Sequence, residues 1–166
     1  MDAKTFSDAL LESGRRLGTT STDFQCLPRT DRSRVAHTNP LLDLLANYDT
    51  STFASGGIDF HPNPRDLGDR IDLGRYHGDL VVLLKASGSI RLEEFGTAHH
   101  VLGPIAQSGG AMLDALLISS IYFGRAALDE GLYDDHLARR QAADESTKAA
   151  GGDEYQPFFR MLLGCD

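Results

Sequence analysis

The chain has 166 residues, 41% hydrophobic and 24% charged, enough to bury a core of its own in one globular domain spanning 1–166. Its 24 acidic and 16 basic residues give a net charge of −8. That sign argues against nucleic acid as a partner, since phosphate binding needs a basic surface, and is compatible with a basic protein partner.

Met1-Asp2-Ala3-Lys4 is not a basic stretch leading into an apolar run, so no secretory signal is expected. The most apolar segment, 111–128, is interrupted by Asp114, Ser119, Ser120, Gly124 and Arg125 and reads as too polar and too short for a membrane span. Cys26 and Cys165 stand alone, which fits neither a disulfide framework nor a zinc pattern. A reducing, cytoplasmic setting with no membrane association is the expectation.

In chain order, residues 4–16 carry an apolar stripe through Phe6 and Leu10 towards Leu17, which predicts a helix stopped at Gly18. Residues 18–39 lack periodicity and read as an irregular segment; its arginines, Arg29, Arg32 and Arg34, are the one locally positive zone. Asn39-Pro40 predicts a short helix with Asn as cap and Pro in the first turn, followed by Leu41, Leu42, Leu44 and Leu45. Residues 52–60 predict β structure around Gly56-Gly57, ended by His61-Pro62-Asn63-Pro64 because Pro cannot donate to a ladder. Residues 65–79 mix Asp66, Asp69, Asp72 and Asp79 with Arg65, Arg70 and Arg75. That density predicts a solvated loop whose surface pairs are worth about 0–1 kcal/mol each.

The stretch from His77 to Phe95 predicts a β-hairpin turning at Ser87-Gly88-Ser89. Leu80 to Leu84 are all apolar, so both faces of the first strand should be covered. In the return strand Ile90 and Leu92 point inward, and Arg91 and Glu93 outward. From Ala111 to Leu128 apolar spacings of three and four predict a covering helix capped by Ser108 and ended by Gly131. The second face of the hairpin is expected to be covered by the N-terminal helix or by a helix containing Phe158 to Leu163. Asp134 or Asp135 should cap a surface helix running to about Ala150, ahead of Gly151-Gly152; Gln156-Pro157 or Asp153 should start the last helix. With strands in the middle and helices mostly in the second half, the fold class is α+β, a central antiparallel sheet with helices packed on it.

Chemistry is sparse. The pair His99-His100 would need an irregular loop to share a metal, because consecutive residues diverge in both helix and strand, and no further ligand stands at chelate spacing. Asp134-Asp135-His136 reads as a helix start. No metal or cofactor is expected. His77-Gly78-Asp79, with His61 as a third member, is the one arrangement that would suit base chemistry, without an accompanying nucleophile motif or phosphate-cradling loop. Glu93 and Glu94 are strand neighbours facing opposite ways, which predicts an exposed acidic edge and not a catalytic pair.

Five short stretches carry a resemblance. They are Gly56-Gly57-Ile58-Asp59-Phe60, Gly78-Asp79-Leu80-Val81-Val82-Leu83, the turn Ser87-Gly88-Ser89, the strand Ile90-Arg91-Leu92-Glu93, and Ile105-Ala106-Gln107-Ser108 leading into Met112-Leu113-Asp114-Ala115-Leu116. In this order they resemble the central block of the SMI1/KNR4 (SUKH) superfamily, over residues 56–117. Upstream the pattern departs: Leu27-Pro28 runs into Arg29-Thr30-Asp31 and not into an Asn-Gly turn. The resemblance implies a non-catalytic α+β scaffold, used by many bacterial members as an immunity protein that blocks a cognate toxin.

Charge gives that expectation a surface. Residues 129–166 hold nine acids and four basic residues, a net −5 out of the whole chain's −8. Glu93, Glu94, Asp134, Asp135, Asp153 and Glu154 are the candidate contacts for a cognate toxin or other basic protein. The function expected is that of a non-catalytic immunity or antitoxin protein; the alternative is a small hydrolase-like enzyme using His77 and Asp79 in a cleft beside the sheet.

Overall fold

A computed structural model of the chain describes residues 1–19, 24–31, 33–53, 56–97 and 100–165. It is an α+β protein built on a five-stranded antiparallel sheet. Helix α1 (Ala3–Arg16) starts where the Asp2 carboxylate accepts from the Thr5 N–H. A two-residue strand β1 (Leu27–Pro28) lies in the segment expected to be irregular and pairs with β2 (Tyr48–Asp49). Between them α2 (Pro40–Asn47) is capped by Asn39, whose side-chain oxygen accepts from the Leu41 and Leu42 N–H groups, as its Asn-Pro start predicts.

The sheet is a meander of β3 (Ile58–Asp66), β4 (Arg70–Tyr76), β5 (Asp79–Leu84), β6 (Ile90–Glu93) and β7 (Val101–Ala106), in that spatial order. The hairpin β5–β6 is where the sequence places it, and β5 is the central strand. Two expectations are corrected. Strand β3 does not stop at His61-Pro62-Asn63-Pro64: its pairing with β4 jumps from Phe60↔Gly74 to Arg65↔Asp72 and absorbs those four residues in a bulge. An edge strand tolerates prolines there because one of its sides has no ladder to complete. Residues 70–76 are no solvated loop. They form β4, with Leu73 and Tyr76 in the core and Asp72 2% exposed on the opposite side. Residues 101–106, which carry Gly103 and Pro104, form the other edge strand.

Gly74 sits opposite the bulge, and a β-carbon there would lie 2.2 Å from the Asp59 carbonyl oxygen. The two strands come this close only because position 74 has no side chain.

Helix α3 (Gly109–Leu128) is capped by Ser108, whose hydroxyl accepts from the Ala111 N–H. It ends at Asp129 and not at Gly131, because the Asp129 carboxylate caps a further short helix, α4 (Glu130–Tyr133). At 20 residues α3 does reach the length and composition of a membrane span, against the expectation from sequence; its Met112, Leu113 and Leu116 are fully buried in the core. Helix α5 (His136–Ala150) is capped by Asp135. It lies deeper than a surface helix: Ala143, Ser146 and Ala150 are fully buried, and the Ser146 hydroxyl lies 3.0 Å from that of Ser119 on α3. Small side chains let the two helices approach where an apolar stripe would otherwise be needed. A single 3₁₀ turn at Asp153–Tyr155 leads into α6 (Gln156–Leu162).

All the large helices feed one core. Phe6 and Leu10 of α1, Leu41 and Leu44 of α2, Met112 and Leu116 of α3, and Phe158 and Phe159 of α6 share it with Val81, Leu83, Ile90 and Leu92 of the hairpin. The expectation that α1 or α6 would cover the second face of β5 is therefore not met. Val82, fully buried on that second face, is opposite Asp72 on one side and Arg91 on the other. Among the described residues, the partners on this face come from the sheet itself.

Candidate functional site

That outer face is an ionic layer. The Asp72 carboxylate receives Nη1 of Arg75 at 2.7 Å and Nη2 of Arg65 at 3.1 Å, with Nε2 of His61 at 3.4 Å. The Glu93 carboxylate accepts from Nε of Arg91 at 2.7 Å and lies 3.1 Å from Nε of Arg70. Lys85 reaches Asp66 at 2.7 Å, and Arg70 also reaches Asp69 at 3.0 Å. The register and the pleat line these side chains up on the face of Val82, where a helix would otherwise pack. Charges of both signs are consumed within the layer, so it presents little net field to a ligand. Glu93 is 1% exposed. It is not the exposed acidic edge expected from sequence, because Arg70 and Arg91 close over it and β7 lies outside β6.

The opposite side is more open. Tyr76 and Asp79 pair across the tight turn that joins β4 to β5, with His77 (φ 49°) and Gly78 (φ 98°) between them, both left-handed. Two left-handed residues make the turn that suits the sheet's twist. The Asp79 carboxylate accepts from the Phe95 N–H at 3.1 Å, and the His77 ring packs edge-on against Tyr76 at 4.4 Å. Among the described residues no hydrogen bond joins His77 to Asp79, and His61 belongs to the outer ionic layer. The three residues of the enzymatic alternative therefore do not converge.

His77 and Asp79 do share a cavity of about 410 Å³ between the turn, β7 and α6, lined also by Tyr76, Leu92, Leu102 and Phe158. A second compartment of about 360 Å³ adjoins it, lined by Phe123, Ala127, Tyr133 and Arg139. The compartments have Tyr76, His77 and Met161 in common, so together they form one groove. Tyr76 is 2% exposed and its hydroxyl has no hydrogen-bond partner among the described residues. Burial pushes that hydroxyl up from its ordinary pKa, so it stays a neutral donor.

At its far end the groove meets the corner where α3, α4 and α5 join. Leu128, Tyr133 and Leu137 are 61%, 64% and 78% exposed there, among Asp129, Glu130, Asp134 and Asp135. Asp135 accepts from the Leu137 and Ala138 N–H groups, and Asp129 from those of Gly131 and Leu132. Two acids are thus held by their helix caps, while Glu130 and Asp134 project freely enough to meet a partner. Asp153 and Glu154 lie beyond the other end of α5, about 22 Å away at the helical rise per residue, and Glu94 pairs with Nδ1 of His100 at 2.9 Å on the β6–β7 connection. The six candidate acids therefore do not form one patch. Sequence reading missed the three apolar residues of the corner. Their signal was a run of large apolar residues interleaved with cap residues, too short to bury any of them.

Among the described residues no group of three His, Cys, Asp or Glu side chains could hold a metal ion. His99 lies outside those residues; His136 opens α5. Arg29 donates from Nε to the Tyr48 carbonyl and Arg34 faces Asp43 at 3.5 Å, so these arginines are tied to the chain; Arg32 lies outside the described residues. Cys26 is 1% exposed and burial pushes its thiol up to about 12, whereas Cys165 is half-buried. A thiol reagent at about pH 8 is expected to react with Cys165 in the native protein and with Cys26 only on unfolding, read as one fast and one unfolding-limited thiol per chain. Equal native rates would contradict the burial of Cys26.

Comparison with models of known families, with curated proteins and with solved structures finds no match to this chain.

Proposed function

We propose that this chain is a non-catalytic, cytoplasmic binding protein of the immunity or antitoxin kind, with the SMI1/KNR4-like scaffold its central block resembles, and that it neutralises a basic protein partner. The observation that carries this reading is the α3–α4–α5 corner, three large exposed apolar side chains set among four acids at the mouth of a groove. Interfaces are anchored by a few aromatic and aliphatic residues, while surrounding charge sets approach and selectivity. A basic cleft, such as that of a nuclease toxin, would find both here.

The test is protection. Reading frames adjacent to this gene are induced singly in a host cell, and one is expected to arrest growth that co-expression of this chain restores. The variant Leu128→Ser/Tyr133→Ser/Glu130→Lys/Asp134→Lys, which spares both capping aspartates, is expected to fold normally and lose protection. Its wild-type counterpart is expected to associate more slowly with the purified partner as salt rises, screening acting over about 10 Å at 0.1 M. Full protection by the variant would place the contact elsewhere.

The enzymatic alternative, a small hydrolase-like activity, has the shared cavity of His77 and Asp79 in its favour. His77→Ala separates the two readings: a binding protein keeps protection in that variant, and an enzyme loses it.

A further inference from the structure

We infer that the larger compartment of the groove, between the β4–β5 turn, β7 and α6, is a subsite for an organic cation: an apolar body ending in a protonated nitrogen. The compartment is walled by Leu92, Leu102, Pro104, Phe158 and Met161, and among the described residues its one acidic group is Asp79. The two buried acids of the sheet differ from it. Asp72 and Glu93 are each held by two guanidiniums, whereas Asp79 has no cationic partner among the described residues and only the Phe95 N–H on one oxygen. Asp79 thus has carboxylate capacity left over at the edge of an apolar cavity, and a cation brought beside it gains a charge-assisted contact while its apolar body is covered by the walls.

The rest of the lining fits the same ligand. Tyr76 and Phe158 both line the cavity, and their rings, 5.3 Å apart, give the aromatic wall that favours cations over anions. Gly103 keeps the β7 side open: a β-carbon there would meet nothing within 4 Å. The ligand chemistry has two sources, a lysine or arginine side chain of a bound protein or a free amine, and the charged nitrogen on an apolar stem is common to both.

The experiment titrates the full chain, observed through its backbone amide resonances, with phenethylamine and with 2-phenylethanol as an uncharged match. The amine is expected to shift His77, Asp79, Phe95 and Gly103 and to saturate at a concentration about tenfold below the alcohol's, the contribution of one charge-assisted contact. Asp79→Asn retains an oxygen for the Phe95 N–H, so the fold stands, and the amine's advantage is expected to vanish. Equal binding of amine and alcohol, shifts confined to other residues, or an unchanged advantage in Asp79→Asn would each overturn the subsite. A second arm compares a capped Leu-Lys-Leu peptide with its norleucine counterpart: tighter binding than phenethylamine assigns the cation to a protein segment, weaker binding to a free amine. Only this peptide arm rests on the groove being a partner surface. If amine binding fails while protection persists, the subsite is wrong and the corner stands; if protection fails while the amine binds, the reverse holds.

Discussion

Replacing Leu83 by alanine is expected to lower the free energy of unfolding by about 2–5 kcal/mol, the transfer and cavity cost of a buried leucine. Leu83 is 3% exposed, lies on the central strand, and pairs with Ile71 on β4 and Ile90 on β6. All the large helices share the core beneath it, so no single element can shift inward to fill the space. Urea denaturation, with an unchanged dependence on denaturant, measures the loss. A change under about half a kcal/mol would be that of a solvent-facing position and would remove β5 from the centre of the sheet.

The same strand shows what the sequence makes legible. Five consecutive apolar residues followed by Ser87-Gly88-Ser89 and an alternating run leave a hairpin as the one economical reading. Strand β4 is equally periodic, Arg70-Ile71-Asp72-Leu73, but its charged half resembles a solvated loop. The residues that meet its charges, Arg65 on β3 and Glu93 on β6, come from other strands. Pairing at that distance leaves no local trace. Strand β7 is hidden for a different reason: Gly103 and Pro104 sit in its middle, and only its edge position makes them tolerable. Helix α5 has an inner face, but that face is written in Ala, Ser and Thr and carries no apolar signal.

The candidate site divides along the same line. Asp134 and Asp135 could be read as prominent acids because they stand next to one another, and both do lie at the corner. That Asp135 is occupied as a cap, while Leu128, Tyr133 and Leu137 face outward, depends on where α3 ends, a choice between Asp129 and Gly131 that one residue's side-chain bond decides. The groove joins residues 76–79, 102–104 and 157–161, and α6 comes to lie beside β7 through tertiary packing that no local pattern encodes.

Glu93→Ala is expected to cost about 3–5 kcal/mol, as much as the leucine, although Glu93 is the residue whose charge makes it look like a surface contact. Its carboxylate is 1% exposed, and removal leaves Arg70, 10% exposed, without its inward partner, with Arg91 free to turn towards water. A buried pair broken on one side is penalised for the charge left behind; the pair removed as a unit is not. Glu93→Leu combined with Arg70→Met, similar in volume and apolar, is therefore expected to recover most of the loss, to within about 1 kcal/mol of the parent chain. Urea unfolding of the two single variants and the double variant measures this coupling, and additive losses would show that the two side chains do not act as a pair. Partner binding supplies the second readout. Because the double variant restores the sheet without restoring the carboxylate, a Glu93 that only holds the fold gives a double variant that protects; one that touches the partner gives a stable protein that does not.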